Sequence, residues 1–476
     1  MARNLKPFFA PDSVAILGAS ERPTSSGGAV LQMLRKSTYP GHIAPINPKG
    51  GTAFGLAMHR SLREAGEPCE LCVVVIRPEQ ILDALREAIA TGHRNFLILP
   101  GGFAEAGEAG KARDAELRQL IAEDDLTVAG PNCAGIIHLP EGKRFGATFL
   151  RDLPPGGGIA LISQSGAIAE EAVSAANRTP LALGTVVSVG NATQLGVEDY
   201  LEYLGSDPRC TAVLLYIESL EDPDRFRRVA RKVAVEKPVV MLMGGATRPG
   251  ARAASAHTGA VANTDEAISA FAVECCMIRV RSLRGMLLAA KGFGFFPQGM
   301  GRRVLILSNS GGPGVIASDC ADRVGLDLVD LPPAMAGELR GNFPPEASVA
   351  NPLDLLADAR EDRFGFTLES AIRHGGGHFD AILGMHVVPF MVDPAPVIAR
   401  LASLVPKVKV PFMHSMMGTL PGSAEWFATM EKAGVPMFRD VEEMGECAGL
   451  LAQYPPLKKI AAQPLPNTPS ALRGRR

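Results

Sequence analysis

The sequence predicts an α/β fold built from doubly wound parallel sheets. Short runs rich in apolar and β-branched residues alternate with amphipathic helical segments from one end of the chain to the other. Many of these runs are apolar at every position, as strands are when helices cover both faces of a sheet. We therefore expect right-handed crossovers between parallel strands. The predicted strands are residues 14–17, 71–76, 95–99, 158–163, 183–189, 212–217, 239–243, 303–308, 380–387 and 411–414, and the predicted helices are 78–90, 114–121, 222–233, 264–275 and 424–433.

Two breaks rich in proline and glycine, at residues 152–158 and 296–301, divide the chain. Each break precedes a predicted strand, a Gly/Ser turn and a helix. The chain has 476 residues, enough for about three domains of ~150 residues each. The sequence predicts domains at 1–150, 151–297 and 298–460, followed by a basic tail at 461–476 that we expect to be disordered.

Composition and charge exclude several classes of protein. The formal net charge is −2 and aromatic residues make up 5% of the chain, so neither phosphate-backbone attraction nor base stacking is indicated. No apolar run is long enough for a membrane span or a signal peptide, and we expect a cytoplasmic protein that binds neither nucleic acid nor membrane. Cys69 and Cys72 have no second cysteine pair nearby, so we expect buried thiols and no metal site.

Three predicted strands run directly into turns that open helices. The turns are Gly18-Ala19-Ser20, Gln164-Ser165-Gly166-Ala167 and Ser310-Gly311-Gly312-Pro313-Gly314. The free N–H groups at a helix N-terminus attract anions, and a glycine lets the backbone approach a pyrophosphate. A plain βα turn, or N-capping by a serine, would also explain the patterns. The first turn is not GxGxxG, which argues against a nicotinamide-dependent oxidoreductase.

Other predicted strand ends in the first domain carry polar groups. Lys49 follows one strand end, in Asn47-Pro48-Lys49, and Arg77 follows another. Asn132 and Cys133 follow a third, in Gly130-Pro131-Asn132-Cys133. Each segment alone could be an ordinary loop. Together they would give the rim of a cleft the cations and the amide that a nucleotide-type cofactor needs.

One histidine, His257, lies in a run of small residues, Ser255-Ala256-His257-Thr258-Gly259, that we expect to form a loop open to another surface. Neutral imidazole can accept a phosphoryl group near pH 7. Glu218 directly follows the predicted strand 212–217, and its carboxylate could accept the other ring N–H. On these residues alone, a solvated histidine and a surface acid at a strand end are the more ordinary interpretations.

Taken in order, these motifs resemble the α subunit of ADP-forming acyl-CoA synthetases, in the succinyl-CoA synthetase superfamily. The resemblance covers nearly the whole chain except the basic tail. It implies a Rossmann-like CoA-binding domain followed by two flavodoxin-like ligase domains. It also implies that His257 is phosphorylated, that Glu218 steadies it, and that the helices opening at Ser165 and Gly311 bind phosphate. The matching segments are Ile16-Leu17-Gly18-Ala19-Ser20, Asn47-Pro48-Lys49, Gly130-Pro131-Asn132-Cys133, Ser163-Gln164-Ser165-Gly166, Ser188-Val189-Gly190-Asn191, Ser255-Ala256-His257-Thr258-Gly259 and Asn309-Ser310-Gly311-Gly312-Pro313-Gly314.

The reaction that the resemblance implies interconverts acyl-CoA, ADP and phosphate with a carboxylate, CoA and ATP. It would pass through an acyl phosphate and a phosphohistidine. No segment resembles an ATP-grasp domain, so the resemblance implies a separate ATP-grasp β subunit that binds ADP or ATP with Mg, in a hetero-oligomer. The substrates would be a small carboxylic acid and its CoA thioester, with the acyl group left open.

The chain departs from the family pattern at two places. Met243-Gly244-Gly245-Ala246 stands where the family usually has a lysine and an arginine, although Arg248 and Arg252 could substitute. Ala134 stands where a larger apolar residue is common, which bears on the acyl pocket. These departures keep a second hypothesis open, a catalytically idle CoA- or acyl-CoA-binding regulatory protein on the same scaffold.

Overall fold

The computed structural model describes residues 3–140, 144–258, 263–388, 392–418, 421–465 and 470–472, without the side chains of residues 255–258. The chain divides into two compact units, Met1–Ala290 with Lys458–Arg476, and Lys291–Leu457. Across these described ranges, no helix is both long enough and apolar enough to cross a bilayer.

The first sheet of the first unit has five parallel strands in the order β2-β1-β5-β6-β7. Counted along the chain, this is the doubly wound order 2-1-3-4-5. Strands β3 and β4 form a separate antiparallel pair. The elements are α1 (Lys6–Phe9), β1 (Ser13–Leu17), α2 (Ser26–Lys36), β2 (His42–Ile46), β3 (Thr52–Ala53), β4 (Leu56–Ala57), α3 (Leu62–Ala65), β5 (Leu71–Val74), α4 (Pro78–Ala90), β6 (Asn95–Ile98), α5 (Gly107–Glu123) and β7 (Thr127–Ala129).

The second sheet has the order β14-β13-β12-β10-β11-β8-β9. Its five parallel strands repeat the 2-1-3-4-5 order, and the hairpin β8–β9, which the sequence did not predict, pairs antiparallel with β11. The elements are β8 (Gly135–His138), β9 (Phe145–Thr148), β10 (Ile159–Ser163), α6 (Gly166–Ala176), β11 (Leu183–Ser188), α7 (Val197–Ser206), β12 (Ala212–Ile217), α8 (Pro223–Ala234), β13 (Val239–Met243), α9 (Arg248–Thr258), α10 (Asp265–Glu274), β14 (Ile278–Val280) and α11 (Leu283–Phe295).

The third sheet forms the centre of the second unit, with the order β16-β15-β18-β19-β20 and a short strand, β17, that also pairs with β15. The order is 2-1-3-4-5 once more. The elements are β15 (Arg303–Ser308), α12 (Gly311–Arg323), β16 (Asp327–Leu328), α13 (Pro333–Asn342), β17 (Leu353–Asp354), α14 (Glu361–His374), β18 (Ala381–Val387), α15 (Pro394–Leu404), a 3₁₀ turn (Val405–Lys407), β19 (Phe412–Met417), α16 (Ser423–Lys432), β20 (Met437–Phe438) and α17 (Val441–Ala461).

The predicted doubly wound α/β fold is confirmed, and the three sheets share one feature. The strands are counted here without the hairpin β8–β9 of the second sheet and without the short β17 of the third. In each sheet the first strand then lies between the second and the third, so the chain changes its winding direction beside that first strand. Doubly wound sheets bind ligands at the carboxyl ends of their strands at such a switch point. The three turns that the sequence singled out all follow these first strands, β1, β10 and β15.

The cores are apolar, and the eight cysteines are all buried within them without disulfides. This agrees with the prediction that Cys69 and Cys72 are buried thiols. Burial raises the pKa of the Cys72 thiol, and it raises the pKa of Cys133 to about 12.

The C-terminal tail, expected to be disordered from residue 461, instead packs partly on the first unit. Leu472 is 5% exposed and belongs to its hydrophobic core, and the amide of Ala471 donates to Glu274 at 3.2 Å. The buried Arg231 donates to the carbonyls of Ile460 and Gln463 at 2.8 and 2.9 Å. The carbonyls of Ile460, in the last turn of α17, and of Gln463, in the tail, thus satisfy a buried guanidinium, and Leu472 loses apolar surface to the core.

Candidate functional site

The carboxyl ends of β1, β2 and β5 form one edge of the first sheet, which we call the rim. Gly18, directly after β1, lies on the rim and has φ +96°. The amides of Gly18 and Ala19 donate to the carbonyl of Ile46 at 3.0 and 3.1 Å. A Cβ on Gly18 would lie 2.9 Å from Cγ2 of Ile76 and 3.0 Å from the carbonyl oxygen of Val75. Only glycine therefore fits this turn, which joins the carboxyl ends of β1, β2 and β5.

The predicted cations lie along the same rim. The side-chain amide of Asn47 donates to Ala19 at 2.8 Å, and its carbonyl accepts from the amide of Lys49 at 3.0 Å. Lys49 is exposed, as is Arg77, the residue before α4. Ser20 accepts from the backbone amide that follows it by two residues, at 3.1 Å. The structure thus brings the predicted residues of β1, β2 and β5 to one edge.

Helix α2 begins at Ser26, shortly after the Gly18 turn. Ser25 is its N-cap and accepts from the amide of Gly28 at 3.2 Å. A Cβ on Gly27 would lie 2.0 Å from the carbonyl oxygen of Gly18, so the helix start packs directly against the glycine turn. The remaining first-turn amides point along the helix axis toward the rim.

Asn132 links the rim of the first sheet to the second sheet. Its side-chain amide donates to Asn191, which follows β11, at 3.1 Å. Asn191 in turn donates to Glu105, a carboxylate that also accepts from the amides of Gly102 and Phe103. Burial opposes ionisation of Glu105, but these hydrogen bonds outweigh it and hold its pKa below the usual range. Sequence reasoning missed this network, although the acid follows a Gly-Gly pair at a strand end.

Cys133 does not present its side chain to this rim. It is 2% exposed, and its thiol donates to the carbonyl of Ile98 at 3.4 Å. A free cysteine behaves as a small apolar side chain, so the core takes the thiol. The thiol therefore offers no group to a ligand at this rim, and a contribution of Cys133 to cofactor binding, which stays a prediction, would have to come from its main chain.

The turn at Ser165 is shaped by two serines. The hydroxyl of Ser163 donates to the carbonyl of Ser165 at 2.7 Å and accepts from its amide at 3.1 Å. Ser165 caps α6 and accepts from the amide of Ile168 at 3.4 Å. The amides of Gly166 and Ala167 have no acceptor inside the helix. Because the first turn carries no acidic side chain, these amides offer a site for an anion.

Gln164 holds Glu218 beside this turn. Its side-chain carbonyl accepts from the backbone amides of Glu218 and Ser219 at 2.6 and 3.1 Å, and its amide donates to the carbonyl of Ser219 at 2.9 Å. The hydroxyl of Tyr216 donates to the Glu218 carboxylate at 3.3 Å. Burial, with the nearby Glu218 charge, raises the pKa of Tyr216 to about 12, so Tyr216 remains a donor at neutral pH.

The segment around His257 differs from the predicted loop. The backbone from Arg248 to Thr258 is helical, because its alanines and arginines favour a helix and Thr247 caps it by accepting from Gly250 at 3.2 Å. The side chain of His257, and residue 259, lie outside the described part of the chain.

Helix α9 nevertheless packs on a turn that also contacts Glu218. A Cβ on Gly245 would lie 3.4 Å from Cβ of Ala254. A Cβ on the preceding residue, Gly244, would lie 3.1 Å from the Tyr216 hydroxyl and 3.7 Å from Cγ of Glu218. The turn after β13 thus lies between the helix that carries His257 and the carboxylate.

The expected positive charges are sparse here. Met243 is 7% exposed and lies in the core. Arg248 and Arg252 are exposed on α9, and neither forms an ion pair within the described ranges. The two arginines are thus available to a ligand from solvent rather than fixed by neighbouring carboxylates.

The second unit repeats the arrangement of the Ser165 turn. The hydroxyl of Ser308 donates to the carbonyl of Ser310 at 2.8 Å and accepts from its amide at 3.1 Å. Asn309 donates to the carbonyl of Val387 at 2.8 Å and accepts from its amide at 2.9 Å. The shared pattern Ser-amide-Ser-Gly was visible in the sequence, but the role of its amide residue was missed.

Helix α12 opens at the exposed Gly311 and Gly312, and a Cβ on Gly312 would meet no atom within 4 Å. A Cβ on Gly311 would lie 3.3 Å from a carboxylate oxygen of Asp354. An acid beside a helix N-terminus offsets part of its positive potential. This turn therefore offers amides to an anion with a carboxylate nearby, as the Ser165 turn does with Glu218. Within the described residues, no group of three or more His, Cys, Asp or Glu side chains could hold a metal ion.

Three family models match the chain in sequence order. They are a CoA binding domain over residues 12–139, a succinyl-CoA ligase like flavodoxin domain over 156–293, and a Ligase-CoA domain over 304–416. Each matched segment contains the switch-point turn of one of the three sheets and most of the parallel strands of that sheet.

Individual relatives match over most of the chain. The α subunit of an ADP-forming acetate–CoA ligase II from Pyrococcus furiosus is 31% identical over 451 residues, covering 94% of this chain and 97% of that protein. An ADP-forming 4-hydroxybutyrate–CoA ligase from Nitrosopumilus maritimus is 29% identical, covering 77% of this chain and 53% of that longer protein. A dinucleotide-forming acetyl-coenzyme A synthetase 1 from Ca. Korarchaeum cryptofilum, solved with phosphate and ADP, has a TM-score of 0.90 and 25% identity, covering 96% and 98% of the two chains.

Proposed function

Since this chain belongs to the ADP-forming acyl-CoA ligase family, we propose that it works as an α subunit that makes and breaks an acyl phosphate and passes the phosphoryl group through His257. The functional division would follow residues 1–150, 151–297 and 298–460, with the parallel strands of one sheet in each. The protein would be located in the cytoplasm.

The rim of the first sheet would hold CoA. Gly18 lets the backbone approach a pyrophosphate, and Ala19 and Ser20 follow it at the switch point. Lys49 and Arg77, both exposed at this edge, would pair with phosphate oxygens. Asn132 would then orient the thiol end of CoA toward the second sheet, because its side chain hydrogen-bonds to Asn191, which follows β11 of that sheet.

Phosphate would bind at the opening of α6, on Ser165 and Gly166. In the direction that forms ATP, a phosphate oxygen attacks the thioester carbonyl carbon, and the thiolate of CoA leaves and takes a proton. The amide groups stabilise the negative charge that develops on the oxygens. A nitrogen of His257 then attacks phosphorus, the carboxylate leaves, and a phosphohistidine remains.

Glu218 would accept the other ring N–H of His257 and thereby stabilise the charged imidazole. Two observations support this role. Gln164 holds Glu218 to the Ser165 turn, and the turn after β13, at Gly244 and Gly245, lies between Glu218 and helix α9. The turn at Ser310, Gly311 and Gly312 would receive the phosphoryl group in the same way in the second unit.

The phosphohistidine would deliver its phosphoryl group to ADP on a separate ATP-grasp β subunit, which would also bind Mg. Some relatives are longer than this chain, and the Nitrosopumilus protein is matched over only about half its length, so in such proteins one chain could carry both parts. We expect this chain to form a hetero-oligomer with its partner.

The observation that carries the proposal is the hydrogen bond between Gln164 and the Glu218 backbone, which puts a carboxylate beside a helix N-terminus. The test is to incubate the purified chain with acetyl-CoA and phosphate, and in parallel with the partner and ATP. An acid-labile phosphate on the tryptic peptide that begins at Ala253 is the expected result. The His257→Asn variant is the control. If neither incubation labels this peptide, His257 is not the phosphoryl carrier.

A second candidate function is a CoA- or acyl-CoA-binding regulatory protein without catalysis. The buried Met243 and the uncharged turn after it favour this candidate, because they leave no fixed cation there. It predicts CoA binding with no label on His257 under either condition, so the same experiment decides between the two.

A further inference from the structure

Glu105 fixes the direction of a chain of side-chain hydrogen bonds at the carboxyl edge of the first sheet. One of its carboxylate oxygens accepts from the backbone amides of Gly102 and Phe103, and the other accepts from the side-chain amide of Asn191. Burial alone would raise the pKa of Glu105, but these hydrogen bonds lower it below the usual range. The carboxyl group is therefore ionised at neutral pH, and an ionised carboxylate can only accept hydrogen bonds.

The acceptor at Glu105 determines how two asparagine side chains are oriented. Because Glu105 cannot donate, the nitrogen of the Asn191 side chain points to it and the Asn191 carbonyl oxygen points away from it. That oxygen accepts from Nδ2 of Asn132 at 3.1 Å. The reverse orientation of either asparagine would place two acceptors or two donors against each other. Donation therefore runs in one direction, from Asn132 to Asn191 to Glu105.

The loops that carry the two asparagines are fixed by their own backbones. Asn132 has φ +60°, and its amide donates to the carbonyl of Pro100 at 2.9 Å. The amide of Asn191 donates to the carbonyl of Pro131 at 2.9 Å. A Cβ on Gly190 would lie 2.2 Å from the same Pro131 oxygen, so the two loops are in close contact. The backbone of Asn132 is thus held in place while its side chain stays exposed.

The direction of donation leaves the side-chain carbonyl oxygen of Asn132, Oδ1, for a ligand. Within the described residues, no group donates to this oxygen. It borders Gly101, where a Cβ would lie 3.0 Å from it and 2.7 Å from Oε1 of Glu105. Gly101 comes shortly after β6, so the oxygen lies at the carboxyl edge of the sheet, where doubly wound sheets bind ligands. The glycine leaves the oxygen uncovered, and this part of the edge presents an acceptor rather than a donor.

We infer that Glu105 and Asn191 are positioning residues that direct Oδ1 of Asn132 toward the pantetheine arm of CoA, where it accepts from an amide N–H. This inference rests on the proposed function. The pantetheine arm carries its amide groups between the pyrophosphate and the sulfur, and it is the part of CoA that passes from the rim toward the second sheet. A reversed Asn132 would present its NH₂ group and leave a pantetheine N–H without an acceptor, which weakens binding.

The test measures the Kd of two ligands for the full-length chain by titration calorimetry: CoA, and adenosine 3′,5′-bisphosphate, which lacks the pantetheine arm. Glu105→Gln keeps the shape of the side chain but adds an amide donor, so both asparagines can reverse. We expect this variant to bind CoA about tenfold more weakly and adenosine 3′,5′-bisphosphate as before. Glu108→Gln, which neutralises an exposed carboxylate of α5, is the matched control and should bind both ligands as the unmodified chain does.

A second substitution provides a rescue. When Asn191→Asp is added to Glu105→Gln, the carboxylate at position 191 accepts both from the new amide at position 105 and from Asn132. Asn132 regains its original orientation, and we expect the CoA affinity of the unmodified chain to return. A CoA affinity that stays low in this double variant contradicts the role of donor direction.

Thermal unfolding shows which variants fold. If Glu105→Gln does not fold, Gly101→Ala provides the comparison, because its Cβ would cover the Asn132 oxygen and should weaken the binding of CoA alone. Unchanged CoA affinity in the variant overturns the inference and leaves the proposed function intact, and so does an equal loss of affinity for both ligands. Failure of the unmodified chain to bind CoA overturns the proposed function as well.

Discussion

The side-chain carbonyl of Gln164 accepts a hydrogen bond from the backbone amide of Glu218 at 2.6 Å, and the second unit repeats this bond between Asn309 and Val387. Both amide residues follow the first strand of a sheet and reach the end of its third strand. The switch-point turn and the neighbouring strand end are thereby fixed to each other. The residue bonded by the amide side chain is Glu218 in the second sheet and Val387 in the third. Only the second sheet therefore has a carboxylate at this position, which indicates different roles for the two turns.

Replacing this amide residue should loosen the turn. In Gln164→Ala and in Asn309→Ala, backbone groups lose their partners, and we expect a loss of unfolding free energy of about 1–3 kcal/mol in each. Denaturant unfolding measures the loss. Gln119→Ala, on the exposed face of α5, is the control. A loss in the control as large as in the two variants would contradict this assignment.

Gly18→Ala should impair both folding and CoA binding. Its φ of +96° and the contact at 2.9 Å with Ile76 both disfavour a Cβ, and we expect a cost of about 1–3 kcal/mol. Gly55→Ala is the matched control, because Gly55 also has positive φ but open space around it. Thermal melts and CoA titration measure the two effects. Equal loss of CoA affinity in both variants would show that the close packing at Gly18 is irrelevant.

Glu218→Gln should slow phosphorylation of His257 without weakening CoA binding. The neutral amide cannot stabilise a charged imidazole, and we expect a rate lower by about 10²-fold or more. Single-turnover labelling with the partner and ATP measures the rate. Glu171→Gln, which changes an exposed carboxylate of α6, should label at the unmodified rate. Unchanged kinetics in Glu218→Gln would remove Glu218 from the proposed mechanism.

The stability of the second unit should fall in mild acid. His386 and His414 are fully buried on adjacent strands with ring centroids 6.4 Å apart, and burial lowers their pKa values to about 4 and about 3. The unfolded chain, with histidine pKa values near 6.5, then binds more protons than the folded chain between about pH 3 and 6.5. Stability is therefore full above about pH 6.5 and decreases as the pH falls.

Denaturant unfolding at several pH values measures this dependence. The double variant His386→Phe, His414→Leu removes both imidazoles and should flatten the pH dependence between about pH 4 and about pH 6.5. His42→Gln, which changes an exposed histidine of the first unit, should leave the pH dependence of stability unchanged. A double variant with the original slope would exclude the two histidines as its source.

Leu472→Ala should destabilise the first unit. Leu472 is 5% exposed within its core, and truncation of a buried leucine to alanine costs about 2–5 kcal/mol. Ile460→Ala is the control, because Ile460 is 41% exposed. The midpoint of thermal unfolding measures both. Similar small shifts in the two variants would show that the tail contributes little to stability.

The sequence predicted the sheets well because their strands are apolar at every position. The predicted strand 212–217 and the predicted helix 78–90 coincide with β12 and α4. The hairpin β8–β9 was missed because its four-residue strands are short and contain glycine, so they lack the length that marks a strand.

The site was predicted in part. Turns at the ends of buried strands were visible, since Gly and Ser stand out after apolar runs. The partners of Gln164 and Glu105 were not visible, because residues far apart in sequence meet there. The burial of the Cys133 side chain was not visible either, because position at a strand end does not fix which way a side chain points.

The eight buried thiols make the two units separately observable. A thiol reagent can reach them only when the surrounding core opens, since burial protects them and keeps them protonated. Cys320 and Cys447 belong to the second unit and the other six to the first. Pulsed alkylation followed by peptide mass spectrometry would therefore time the opening of each unit in a single sample, without any introduced probe.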